Sequence, residues 1–353
     1  MSSRFTGMTR TLYILSATLL MLLPVGVVFA GGAVEAETET VHVYTHRHYD
    51  VDQALFDRFT EQTGIVVSVL TAGADELIQR IVAEGDSTPA DLLITADAGR
   101  LYLAEELGIL QPIGLSDDAE AIVAEHLRDE YWTALTKRAR VIVYAPDRVS
   151  RTALSTYEAL SDPMWEGRIA VRSSSNIYNI SLLAALIEHL GEDAAEEWAA
   201  AVLANMARDP QGNDRDQIRA VAAGTADLAI VNTYYVGLLS DSEDEADQQV
   251  VDAIEVFFPN QEGRGAHMNI SGAGLVAGAD NAGGARQLVE FMLAEAQQTA
   301  FAGGNFEYPV HDAADLAPIV ESWGNVVEDD VDLSVLGENS GAATRIFDRV
   351  GWN

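Results

Sequence analysis

The chain has 353 residues, with 55 Asp plus Glu against 21 Lys plus Arg, a formal net charge of −34 and no cysteine. Disulfides, thiolate metal sites and cysteine nucleophiles are thereby excluded, and this much negative charge argues against nucleic acid or an anionic membrane as a partner. The acid is dispersed, with one dense run at 241–247 and a single lysine, Lys137, which is the pattern of a solvated surface adapted to high salt; equal stability in dilute buffer and molar salt would refute that adaptation.

Residues 1–30 read as an export signal. Positions 1–10 are basic and lack acid, 11–30 are apolar, and small residues precede Gly31, with a second cleavage choice after Ala36. The apolar run is long enough to anchor the chain if it is retained. Pro24 and the small-residue exit favour removal, and no cysteine follows to carry a lipid. The mature chain is expected outside the cytoplasmic membrane.

From there the pattern alternates. A strand is predicted over 41–46 and a helix over 52–64, with Leu55, Phe56 and Phe59 on one face and Gly64 as its stop. A buried strand follows at 65–70, then a helix at 74–85 with Leu77, Ile78, Ile81 and Val82 inward. A strand at 91–95 and a helix at 98–108 complete the first run, and strands are predicted at 140–145 and 168–172. Helices at 179–191, 192–206 and 216–224 precede strands at 227–231, 254–258 and 271–277, and the last third ends in helices that include 284–297. Repeated strand–helix–strand units predict an α/β fold of mostly parallel sheets flanked by helices. No linker interrupts them, so two lobes sharing the chain are expected, with a ligand cleft beyond the strand ends.

Three predicted strand ends carry tyrosine. "YTHRHYD" offers His46, His48 and Tyr49; "RSSSNIY" offers Ser173, Ser174 and Ser175 as caps for the next helix, then Tyr178; "NTYY" offers Tyr234 and Tyr235. A serine-capped helix start suits an anion. Tyrosinate is a hard donor that suits a small, highly charged cation. Four phenolates overcharge a divalent ion and fit ferric iron, whereas zinc favours His or thiolate and calcium favours carboxylates and carbonyls. Asp97 is read as a helix cap beside Arg100, His267 as lying near an inter-lobe crossing, and Trp132, Trp165 and Trp198 as core.

Together "HVYTHRHYDVDQALFDRFTEQTGI", "SSSNIYNISLL", "NTYYVG" and "NISGAGLV" resemble the ferric-iron-binding periplasmic proteins of ABC transporters, in their cyanobacterial-type branch, over nearly the whole mature chain. The resemblance implies a two-lobed periplasmic-binding-protein fold of type II. Lobe 1 would take 41–143 plus about 268–310, and lobe 2 would take 144–267 plus about 311–353. It implies Fe(III) as cargo held by His48, Tyr49, Tyr178, Tyr234 and Tyr235, and delivery by a monomer to a permease in the cytoplasmic membrane. It also implies a synergistic anion such as carbonate, for which Arg47, Arg138 and Arg140 are the candidates alongside Ser173, Ser174 and Ser175. The alternatives are the same fold binding an oxyanion or a small organic cation, and an exported metal-dependent enzyme. No G-x-S-x-G, H-E-x-x-H or phosphate-loop motif supports the last.

Overall fold

The computed structural model describes residues 39–353, so the export signal expected over 1–30 lies outside the described residues. Among the described residues ten strands run in chain order as β1 Thr40–Thr45, β2 Val66–Thr71, β3 Leu92–Thr95, β4 Leu110–Gln111, β5 Trp132–Tyr144, β6 Ile169–Ala170, β7 Leu228–Asn232, β8 Glu255–Phe257, β9 Met268–Val276 and β10 Tyr308–Pro309. They form one hydrogen-bonded path, β2-β1-β3-β9-β5-β7-β6, with β4, β8 and β10 attached at its sides.

The expected α/β class holds, but the strands are not mostly parallel. Among the described residues, β1–β2, β1–β3 and β6–β7 pair in parallel, while β9 and β5 pair antiparallel with every neighbour they have. The reason lies in β5, which is far longer than the predicted 140–145. Its 13 residues pair with β9 through Ala139 and with β7 from Arg140 onward, so one strand serves both halves of the sheet.

Helices cover the sheet as their apolar periodicity requires. Helix Asp50–Thr63 buries Leu55, Phe56 and Phe59, each contributing about 2 kcal/mol. It stops at Gly64, which adopts the left-handed conformation (φ 78°) that glycine tolerates. Helix Ala74–Glu84 turns Leu77, Ile78 and Ile81 inward, but Val82 is 43 % exposed and leaves the expected inward set. β2 is also not the buried strand expected: it pairs only with β1 at the sheet edge and is largely exposed. The helix predicted over 284–297 is broken at Ala294 into Ala282–Leu293 and Glu295–Gly303. Buried Gln298 explains the break, since its amide donates to the carbonyls of Met292 and Leu135 and accepts from the N–H of Val310. Trp132, Trp165 and Trp198 are core, as expected. The C-terminal helix Ser340–Val350 packs on helices Ile177–Leu190 and Glu192–Ala204.

Candidate metal centre

Each tyrosine sits where a strand hands over to a helix. After β1, Tyr49 is the extended residue that precedes helix Asp50–Thr63. After β6, the chain makes a turn through Ser173–Ser175 and enters helix Ile177–Leu190, whose second residue is Tyr178. After β7, Asn232 leads into helix Thr233–Ser240, so Tyr234 and Tyr235 occupy its first turn. Neighbours in a helical turn point about 100° apart, yet these two rings converge, with centroids 4.2 Å apart.

The expected serine cap is a correction. Asn176 caps the helix, accepting from the N–H of Tyr178, while Ser173 and Ser175 bond each other and Ser174 lies in the same turn. The cap fixes where Tyr178 points. Its hydroxyl lies 3.2 Å from that of Tyr234. Tyr49 completes the group, close enough to Tyr178, Tyr234 and Tyr235 for a charge on one ring to be felt by the others. His48 is exposed; its ring stacks on Tyr49 at 5.1 Å, and no hydrogen bond joins it to any of the tyrosines.

In the absence of a cation the electrostatics favour the protonated form of Tyr49, Tyr234 and Tyr235. Burial pushes Tyr234 well above the ordinary value of 10.0, and Tyr178, Tyr235 and Tyr49 push it further, against the charge of Arg138. Tyr235 is raised by burial and by Tyr178 and Asp214. Tyr49 is raised by burial and by Glu307, with Arg47 opposing. His46 is held down to about 3 by burial and by Arg100, Arg138 and Arg47.

The arginines divide into spent and unspent donors. Arg47 is buried and commits its guanidinium to Asp52, to Glu307 at 3.0 Å and to Ser271 at 2.6 Å, so it is not free for the anion expected of it. Arg140 bonds Asp214 at 2.6 Å, Asn232 at 3.1 Å and Asn179 at 2.8 Å, which leaves its Nε as its one buried nitrogen without a partner among the described residues. Arg138 differs. One of its nitrogens donates to the Ala96 carbonyl, while Nε and Nη1 are buried with no hydrogen-bond partner among the described residues. Its guanidinium lies 5.6 Å from the centre of the Tyr178 ring.

Sequence reasoning missed Asp214, fully buried between Arg140 and Arg172, and the pair Asn305 and Glu307. A lone acid among aromatics in "NFEYPV" was a legible sign of the second. Asp97 is the helix cap expected, accepting from the N–H of Arg100, and it also accepts from Ser181 at 2.6 Å and Asn269 at 2.7 Å. Arg100 itself pairs with Asp75. His267 is buried beside Arg138 and Arg140, where β9 begins. Among the described residues no three His, Asp or Glu side chains converge as they do around zinc or calcium. The anionic donors that this cluster can offer a cation are phenolic.

An α/β fold of the periplasmic-binding-protein kind is the class this arrangement defines. The chain belongs to the bacterial extracellular solute-binding protein family, whose pattern matches residues 87–326. It is 46% identical over 318 residues to iron uptake protein A1 of Synechocystis, covering 90% of this chain and 88% of that one. Its fold matches the Trichodesmium IdiA/FutA protein in complex with iron and citrate, with a TM-score of 0.86 at 45% identity, covering 89% of this chain and 100% of that one. It also matches apo FutA2 of Synechocystis, with a TM-score of 0.85 at 43% identity, covering 90% and 100%.

Proposed function

We propose that this chain captures Fe(III) outside the cytoplasmic membrane and delivers it to an ABC permease, holding the ion with the phenolates of Tyr49, Tyr178, Tyr234 and Tyr235 and with His48. The observation that carries the reading is the 3.2 Å approach of the Tyr178 and Tyr234 hydroxyls with Tyr49 and Tyr235 inside the same electrostatic cluster. Two oxygens bound at right angles to one ion at about 2 Å each lie about 3 Å apart, so one small cation replaces the shared proton without moving either ring far. The iron-related names of the relatives and the family membership support the same cargo.

Charge balance supports the ferric state. Four phenolates against a trivalent ion leave one negative charge, and the unspent guanidinium of Arg138 offsets it. Arg138 is also the group best placed to receive a synergistic anion such as carbonate, since Arg47 and Arg140 have spent most of their donors. Tyr49 and His48 leave the β1 side of the sheet, and Tyr178, Tyr234 and Tyr235 leave the β6–β7 side. The bound ion therefore ties the two lobes together, with β5 and β9 as the crossings between them.

The test is a visible absorption titration of the mature protein with ferric citrate. Tyrosinate bound to Fe(III) gives a charge-transfer band, so the solution turns orange-red and saturates at one iron per chain. A folded protein that stays colourless refutes the reading.

A further inference from the structure

In the sheet path β3 and β6 are separated by β9, β5 and β7, yet the segments that follow these two strands meet. Asp97 follows β3 and is fully buried; Ser181 lies in helix Ile177–Leu190, which follows β6, and is 1 % exposed. The Ser181 hydroxyl donates to Asp97 Oδ2 at 2.6 Å. Asn269, on β9, donates its amide to the same oxygen at 2.7 Å, and the N–H of Arg100 donates to Oδ1 at 3.2 Å. The Asn269 amide is fixed from its other end, where its oxygen accepts from the N–H of Ala98 at 3.1 Å.

Three donors aimed at two oxygens require a group that only accepts. An ionised carboxylate does so, whereas an asparagine would turn its own N–H groups toward at least one of these donors. Capping helix Ala98–Glu106 does not explain the choice, since asparagine caps a helix as well as aspartate. An ion pair does not explain it either, because Arg100 turns to Asp75. A buried carboxylate is costly unless its oxygens are satisfied, and a hydrogen bond to an ionised acceptor is about twice as strong as a neutral one. What the carboxylate adds to the cap is a strong tie to Ser181 across the molecule.

The tie bears on the metal centre. Ser181 is three residues beyond Tyr178 and shares its helical face. The carbonyl of Ala96, next to Asp97, accepts from Arg138, whose guanidinium lies 5.6 Å from the centre of the Tyr178 ring. One short loop after β3 therefore holds both the helix that presents Tyr178 and the arginine beside its ring.

We propose that the Asp97–Ser181 hydrogen bond is a closure latch: it ties the β1–β3 side to the helix that carries Tyr178, and it breaks before the cleft opens and the ion leaves. The inference rests on the two-lobed ferric reading above. Hinge opening gates release, so the latch sets how fast the bound ion escapes without being one of its ligands.

The experiment compares wild type, Ser181→Ala and Asp97→Asn, each loaded with Fe(III), by the decay of the charge-transfer band after addition of excess EDTA, with thermal melting to confirm folding. Loss of a hydrogen bond to a charged group corresponds to about 10- to 100-fold in rate, so both variants are expected to release iron faster by that factor. The band itself is expected at the wild-type wavelength, because the ligands are unchanged. Asp97→Asn keeps the side-chain shape and carries the test if the alanine variant does not fold. Release within about twofold of wild type in a folded variant overturns the inference. So does faster release with a displaced band, which marks altered coordination by Tyr178 in place of altered closure. Failure of the ferric reading is distinct, because the wild type itself then shows no band.

Discussion

Replacing Tyr234 by phenylalanine separates the chemistry of the site from its packing. The ring is 3 % exposed and lies 4.2 Å from Tyr235, so the apolar contacts survive the change. The hydroxyl makes one hydrogen bond, to Tyr178 at 3.2 Å, and Tyr178 is half-buried and regains a bond to water. A neutral hydrogen bond of this kind contributes about 1 kcal/mol net, so the iron-free variant should melt within a few degrees of wild type. The effect on iron is of another size. Groups that merely support a metal ligand cost about 10- to 100-fold in affinity when removed, and loss of a direct ligand should exceed about 100-fold, or roughly 2.7 kcal/mol. Citrate competition monitored at the charge-transfer band measures it. Tyr308→Phe is the control, since that buried hydroxyl has no hydrogen-bond partner among the described residues and lies outside the cluster. A Tyr234→Phe protein that binds iron within about tenfold of wild type refutes the assignment.

Burial and mutual repulsion raise Tyr49, Tyr234 and Tyr235, so these phenols hold their protons until the ion displaces them. Iron affinity should therefore fall with pH more steeply than about tenfold per unit, with proton release on loading measured in a pH-stat; a flat profile contradicts this. His267 is held down to about 3 by burial and by Arg140 and Arg138, against an ordinary 6.5. A depressed value means stability that is present above about 6.5 and is lost as pH falls toward 3, by at most about 1.4 kcal/mol per unit. The iron-free His267→Gln variant should lose less stability than wild type over that window in urea titrations. Arg140→Met should destabilise the protein by about 3 kcal/mol in the same assay, because Asp214 keeps its buried charge and loses the 2.6 Å ion pair, retaining Arg172 at 3.3 Å.

The tyrosine cluster was legible in the sequence because its members follow strand ends and occur in three short, specific strings. The strands themselves were legible from their apolar runs, but their directions were not. Antiparallel pairing of β5 with both β9 and β7 depends on one strand crossing the molecule, and periodicity within a window says nothing about partners. The break at Ala294 was hidden because it is imposed by the tertiary bonds of Gln298, not by a helix-breaking residue. Arg47 and Arg140 stand among the anion candidates because two of their partners, Glu307 and Asp214, lie 260 and 74 positions away, and because nothing local shows that Arg47 turns back onto Asp52 of the following helix.

The most direct measurement is an anomalous difference map at the iron absorption edge from crystals of the iron-loaded protein. One peak is expected, enclosed by the hydroxyl oxygens of Tyr49, Tyr178, Tyr234 and Tyr235, at about 2 Å from each. A peak elsewhere, or none in crystals that contain iron, contradicts it.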